Sequence, residues 1–272
     1  LKLNDRHSVE REFHDAWAEA LNVAEIEPRS SFESETAAEN RRILDWVDDP
    51  KGLKLLDLGC GLGDGAVYFA LRGALVDAVD ISPGMVAVCS KLAMREGVAD
   101  RVRTWVAVGE KLPFDDCSFD VVYGNGVLHH LDLDVSGPEI ARVLKPGGHA
   151  YFIEPLAYNP FIWIYRHLAA GVRTKAEAAL TYRQIRAFGQ QFHSQELEEM
   201  QLLTLLIFFW FFLVERENPS KVRYWKKLVQ EGGRYGAAFR RLARVERVVM
   251  RICPWLKPLC WNVVIKVDRG AA

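Results

Sequence analysis

What the sequence lacks narrows the reading first. Its five cysteines (Cys60, Cys89, Cys117, Cys253 and Cys260) form no C-x-x-C pair. An odd number cannot close a full disulfide set, so reduced thiols are expected and metal ligation is not. Net charge is almost absent, with 35 Lys and Arg against 36 Asp and Glu. That balance excludes a generally basic nucleic-acid coat and a strongly acidic chain, though not a local patch. No apolar run reaches the ~20 residues of a spanning helix. The longest, Leu202 to Val214, is interrupted only by Thr204 and reads as a buried or interfacial element. Internal repeats and low-complexity segments are missing. The first residues carry Asp5, Glu10, Glu12 and Asp15, so they do not read as a secretory signal. A soluble, cytoplasmic protein is expected.

What is present suits a large domain with an added cap. Half of the 272 residues are hydrophobic and 26% are charged, enough to bury a core. The charge is unevenly spread. Residues 1–50 hold 13 acids and 6 bases, whereas residues 221–251 hold 10 bases and only Glu231 and Glu246 as acids.

The middle of the chain is the most legible part. Leu53–Leu58, Ala74–Asp80, Val102–Val108, Phe119–Tyr123 and His149–Ile153 read as strands. Helices are predicted over Asp64–Leu71, from Ser82-Pro83 to about Glu96, and over Pro138–Leu144, ending at Lys145-Pro-Gly-Gly148. Pro83 suits a first helical turn, where its missing N–H would be unpaired anyway. Strands alternating with helices in this way imply parallel βαβ units and a doubly wound sheet. The flanks read as mostly helical: His7–Leu21, Thr36–Trp46, and stretches at about 177–188, 195–200 and 237–252. Trp261–Val267 reads as a final strand.

Gly59-Cys60-Gly61-Leu62-Gly63-Asp64-Gly65 lies between a strand and a helix, where a nucleotide-type cofactor would rest on the helix N-terminus. Asp80 ends the next strand, 21 residues after Gly59, placed to accept from ribose hydroxyls. A dinucleotide would set its pyrophosphate on this turn, and the carboxylates of Asp57 and Asp64 would repel it. No G-K-[ST] is present for a P-loop. S-adenosylmethionine has no phosphate and carries a positive ammonium and a positive sulfonium, so the acids favour it over NAD.

These residues resemble a known family. Leu55-Leu-Asp-Leu-Gly-Cys-Gly-Leu-Gly63 is similar to the first motif of the class I S-adenosylmethionine-dependent methyltransferases, of the type 11-like, small-molecule-acting kind. Val79-Asp80-Ile-Ser-Pro-Gly-Met85 resembles the segment over the ribose, and Glu110–Asp120 the adenine-side loop. Asn125-Gly-Val-Leu-His-His-Leu131 and Arg142-Val-Leu-Lys-Pro-Gly-Gly148 complete the set. Five motifs in the family's order cover about residues 51–154.

The resemblance implies an α/β fold: a Rossmann-like, doubly wound, mostly parallel seven-stranded sheet with N-terminal and C-terminal helical caps. It divides the chain into an N-terminal cap (1–50), a cofactor-binding core (51–154) and a C-terminal lid and acceptor region with the final sheet strands (155–272). It further implies that Gly59, Gly61 and Gly63 let the backbone approach the methionine part, with Cys60 in the same turn. Asp57 would orient the ammonium, Asp80 would hold the ribose, and Ile81 and Met85 would sandwich the adenine. The family commonly has an Asp where Val108 stands, so adenine recognition falls to Gly109 or Glu110. Asn125 joins the cofactor site with its motif. S-adenosylmethionine is the implied cofactor, S-adenosylhomocysteine the product, and no metal is expected.

Methyl transfer from a sulfonium needs in-line alignment at about 3–3.5 Å, and a base only when the acceptor must lose a proton. His129 and His130, just past the fourth strand, are the candidates for base or acceptor contact, followed by Glu154 at the end of the fifth. His14, Trp17, Tyr158 and Asn159 are candidate lid contacts. The run Leu205–Val214 holds five successive aromatics, Phe208 to Phe212. It reads as core, as an acceptor chamber, or as a membrane-facing surface that the basic stretch 221–251 would help to seat. The expected partner is a small, apolar acceptor rather than nucleic acid, with peripheral membrane contact as a further reading. The opposing hypotheses are an NAD-dependent oxidoreductase on a similar fold and a non-catalytic S-adenosylmethionine-binding module.

Overall fold

A computed structural model of the chain describes residues 3–168 and 178–271, with side chains from residue 6 onward. Its centre is a seven-stranded sheet: β1 (Lys54–Leu58), β2 (Leu75–Asp80), β3 (Val102–Val106), β4 (Phe119–Asn125), β5 (Leu144–Pro155), β6 (Ser194–Met200) and β7 (Asn262–Asp268). The spatial order is β3-β2-β1-β4-β5-β7-β6. β1 to β5 pair in parallel, while β7 runs antiparallel between β5 and β6. The order reverses at β1, so the crevice beyond the carboxyl ends of β1 and β4 is where such sheets bind ligands.

Strand period explains the two faces. Leu55, Val76, Val121 and Tyr151 point into one core, beneath α4 (Asp64–Leu71) and α5 (Pro83–Arg95). Their neighbours Leu56, Val122, Ala150 and Phe152 point into the other, beneath α6 (Leu133–Val143) and α8 (Tyr182–Gly189). Both faces are covered, as expected for strands read from near-continuous apolar runs.

On the N-terminal side lie α1 (Leu3–Glu19), α2 (Pro28–Glu33) and α3 (Ala38–Val47). α1 is pinned to the start of α5. The carboxylate of Asp15 accepts from the Ser82 hydroxyl at 2.5 Å and the Gly84 amide at 2.9 Å, and Ser82 in turn caps the Met85 amide. On the far side α7 (Pro160–Leu168), α9 (Leu206–Leu213), α10 (Tyr224–Gln230) and α11 (Gly232–Ile252) enclose a third core around Ile162, Phe208, Phe211, Tyr224 and Phe239.

Three expectations change. Residues 195–200 form strand β6, not a helix: the segment is an edge strand held by its full ladder to β7, with Leu197 packed on the second core. Lys145-Pro-Gly-Gly148 does not end the preceding helix in a separate turn but lies within β5, whose Leu144 already pairs with Phe119. The helix expected from about 177 is observed as α8, capped by a reciprocal Thr181 and Gln184 box, and residue 177 lies outside the described residues. Among the described residues no helix is long and apolar enough to cross a membrane.

Candidate active site

The turn from β1 into α4 is built on left-handed glycines. Gly59 has φ +69°, and a Cβ there would lie 2.5 Å from Val127 Cγ2. Gly63 has φ +88°, and a Cβ there would meet Cys89 Sγ at 2.7 Å. No L side chain fits either place without strain. The turn is braced from β2: the Asp80 carboxylate accepts from the Gly61 amide and the Ser82 amide, both at 2.9 Å. Burial pushes the Asp80 pKa up, and these two amides pull against it. Cys60 donates its amide to Val79, while its thiol lies against that of Cys89 and is pushed well up by this contact and by burial.

Asp57 is the odd group in this arrangement. Its side chain is buried, and among the described residues Oδ2 has no hydrogen-bond partner. Burial pushes its pKa up to about 7, with Asp80 and Asp64 adding to the shift against the Ala66 amide. Asp64, opening α4, accepts from the Ser31 hydroxyl at 3.1 Å and is also pushed up by burial.

These groups face a cavity of about 470 Å³ beyond the carboxyl ends of β1 and β4. Asp57, Gly59, Cys60, Gly61, Asp80 and Ile81 line it from the first two βα turns. Gly109, Glu110 and Asn125 line it from the loops around β3 and β4. Gly63 and Met85 do not. Gly63 shapes the turn from behind, and Met85 is wholly enclosed in the first core at the start of α5, so the expected adenine sandwich has only Ile81 on the wall. Glu110 is already engaged: Oε1 accepts from the Asp132 amide at 3.0 Å and Oε2 faces His7 Nε2 at 3.4 Å.

His129 and His130 both line the cavity; Glu154 does not. Glu154 is fully buried behind the short helical turn Leu128–His130. Its Oε1 accepts from the amides of Val127 (2.9 Å) and Leu128 (2.7 Å), and its Oε2 lies 2.6 Å from His129 Nδ1. This carboxylate accepts from three amides, those of Val127, Leu128 and (at 3.3 Å) His129 itself, so the ring contact is Nδ1–H donating, which leaves Nε2 without that proton. Glu154 therefore touches His129 and not the cavity. His130 Nδ1 lies 3.2 Å from Glu10 Oε1, and His14 Nε2 lies 3.8 Å from Glu10 Oε2. Burial pushes the His14 pKa down. Arg6 donates to the His129 carbonyl at 2.6 Å, so α1 closes over this rim.

Residues 56–152 match the family model described as a methyltransferase domain. The demethylmenaquinone methyltransferase of Chlorobaculum tepidum is 41% identical over 126 residues, 44% of this chain and 47% of that protein. A sterol 24-C-methyltransferase of Gibberella zeae is 31% identical over 134 residues, 48% of this chain and 35% of that protein. The matched stretch thus spans less than half of these relatives. A geranyl diphosphate methyltransferase solved with S-adenosylmethionine superposes with a TM-score of 0.58 at 20% identity, covering 86% of this chain and 85% of that one. The YcgJ protein of Bacillus subtilis gives 0.55 at 19%, covering 86% and 99%. Residues 56–152 thus match a methyltransferase domain, and the chain shares the fold of these solved structures.

Residues before and after the matched stretch complete the cavity, and here sequence reasoning missed most. Arg223 stacks on Trp17 at 3.7 Å, with Trp225 and Lys226 beside it on the wall. A buried polar cluster closes the opposite end. Glu39 accepts from Gln201 Nε2 at 2.5 Å and Asn262 Nδ2 at 2.7 Å, and burial pushes its pKa up. No local signal marks these residues, which meet across 223 positions of sequence. Of the four lid candidates, His14 and Trp17 line the cavity. Asn159 instead caps α7, and the Tyr158 hydroxyl accepts from the Tyr182 amide. None of Phe208–Phe212 lines the cavity, so the expected aromatic chamber is not formed by that run. Phe208 and Phe211 belong to the third core instead.

Proposed function

We propose that this chain transfers the methyl group of S-adenosylmethionine to O, N or C of a small, largely apolar acceptor. The observation that carries the reading is the Asp57 carboxylate. It is buried and facing the cavity under a glycine turn, with an oxygen that has no partner among the described residues. A cationic ligand group answers it; a pyrophosphate on the same turn would meet Asp57 and Asp64 together. These two acids disfavour NAD, the rival on a similar fold.

The remaining residues fit the same ligand. Asp80 would accept from ribose hydroxyls, Ile81 would cover one face of the adenine, Gly109 or Glu110 would meet its edge, and Asn125 lies on the same wall. When bound, S-adenosylmethionine supplies an activated methyl group with a neutral thioether as leaving group. His129, held by Glu154, takes a proton through Nε2 where the acceptor must lose one, and His130 contacts the acceptor beside it. Phe13, Trp17, Ile26, Trp225 and Trp261 give the acceptor end an apolar wall, which suits an acceptor that owes its affinity to buried apolar area. Residues 1–50 and 155–272 supply these walls as caps on the 51–154 core.

Calorimetric titration tests the cofactor. S-adenosylhomocysteine binds and NAD does not; the reverse result overturns the reading. Turnover of methyl-labelled S-adenosylmethionine with a metabolite extract separates an enzyme from a binding module, and lack of any labelled product favours the module.

A further inference from the structure

Ile207, Phe208 and Phe211 anchor α9 to the third core, yet the other side of that helix faces outward. Leu206, Trp210 and Leu213 recur at four and three positions as an exposed stripe, with Leu213 at 66% exposure. α7 packs beside α9, Phe161 edge-on to Phe209 and Tyr165 against Phe208. It exposes Trp163 (61%) and Ile164 on its own outer side. α11 runs antiparallel along α9. Its Glu246 accepts from the amides of Gln201, Leu202 and Leu203 before α9 begins, and its Tyr235 meets Phe211 near the other end. The outward side of α11 continues the pattern with Val245, Val248 and Ile252, followed by Trp255 at 70%.

Single exposed apolar residues are ordinary, but three adjacent helices bearing them is not. The charge on α11 says what covers them. Arg241, Arg244, Arg247 and Arg251 are exposed among the outward valines and Ile252, and the helix's only acid, Glu246, is buried and turned inward. Ion pairs among the described residues engage Arg234 and Arg240 of this helix, with Glu215, Glu231 and Glu35. Arginines interleaved with large apolar side chains on one helix face are the pattern of a helix lying in a bilayer interface. A symmetric contact with a second copy would set these arginines against themselves.

We propose that the outer surface of α7, α9 and α11 docks on an anionic lipid bilayer. Trp163, Trp210 and Leu213 enter the headgroup and acyl boundary, and the α11 arginines meet lipid phosphates. The contact is peripheral. It stands independently of the chemistry proposed above, although Tyr165, on the inner side of α7, also lines the cavity and sets its acceptor end beside the docked face.

Vesicle sedimentation of the 272-residue chain tests it, using phosphatidylglycerol with phosphatidylcholine against phosphatidylcholine alone. Partition onto the anionic vesicles, weakened by salt and accompanied by quenching of tryptophan emission by brominated lipid, is the expected result. The double variants Trp210→Ser/Leu213→Ser and Arg244→Glu/Arg247→Glu should each reduce partition at least ~10-fold, with thermal melting and S-adenosylhomocysteine binding unchanged. The arginine pair makes no core contact, so it keeps the test sound if the apolar pair misfolds. Absence of partition at low salt overturns the proposal, as does partition that neither variant alters. A concentration-dependent dimer, dissolved by Leu213→Ser in a chain that ignores vesicles, would assign the face to a second copy and overturn it too.

Discussion

Glu154 and His129 form a buried pair in which the carboxylate sits 2.6 Å from Nδ1 while also capping the turn that carries the imidazole. One acid thus sets both where the ring is and which nitrogen is basic. His129→Ala should lower the rate ~10²–10⁴-fold for an acceptor that loses a proton, leaving S-adenosylhomocysteine affinity unchanged. Glu154→Gln keeps most of the turn but puts an amide where the carboxylate met Nδ1, so the ring loses its fixed orientation and tautomer. Its signature is a lower kcat with KM and S-adenosylhomocysteine affinity unchanged, read by stopped assays plus calorimetry.

Asp57 yields a pH prediction with opposite signs for binding and stability. Its folded pKa of about 7 lies above the ordinary 3.8, so the unliganded fold prefers the protonated group. The stability this contributes is complete below pH 3.8 and is lost as pH rises through 7. Binding of a cationic ligand needs the ionised form, so affinity should fall by up to about tenfold per pH unit below 7. Asp57→Asn should melt higher than the parent at pH 8 without ligand, and bind S-adenosylhomocysteine far more weakly there. Paired melts and titrations at pH 5.5 and 8 check both signs.

Asp80 braces the loop it is expected to share with a ribose. Asp80→Ala orphans the Gly61 and Ser82 amides, each at a cost of about 1–3 kcal/mol if buried. Cofactor affinity should fall at least tenfold, with a lower melting temperature but a folded protein. Unchanged affinity in a folded variant would place the ribose elsewhere.

The aromatic run divides by burial rather than by residue type. Phe211 is fully buried among Phe208, Tyr224 and Tyr235, so Phe211→Ala should cost about 3–5 kcal/mol of stability. Below its melting point the variant should still bind S-adenosylhomocysteine normally, because the third core is separate from the glycine turn. Trp210→Ala, on the exposed side of the same helix, should leave the melt nearly unchanged. Chemical denaturation of the two variants distinguishes these outcomes.

The sheet was legible where strands are buried on both faces. Leu53–Leu58 and Ala74–Asp80 announce themselves as apolar runs closed by glycine or by an acid, and they are observed one residue shorter at the start. Ser194–Met200 offers a single leucine among acids, and only its partner β7 makes it a strand. The glycine-turn side of the cavity was readable because its residues sit in contiguous turns with fixed backbone demands. Met85 shows the limit: a position within the right motif says nothing about which way the side chain turns, and here it turns into the core. The acceptor end was hidden for a different reason. Glu39 meets Gln201 and Asn262, and Trp17 meets Arg223, only when segments far apart in sequence come together, and no local period or composition encodes those meetings.

The insertion of β7 between β5 and β6 has a consequence for how the molecule is made. Asn262–Asp268 is synthesised after both β5 and β6, yet it pairs between them within the sheet. Until it arrives, β5 keeps an open edge and β6 has no partner among the strands, leaving two ladders that any passing strand can fill. The sheet therefore cannot close progressively during translation; pairing of β5 and β6 into it waits for β7. Nascent chains halted before residue 262 should be protease-sensitive and prone to aggregate, and extension through β7 should convert them in a single cooperative step.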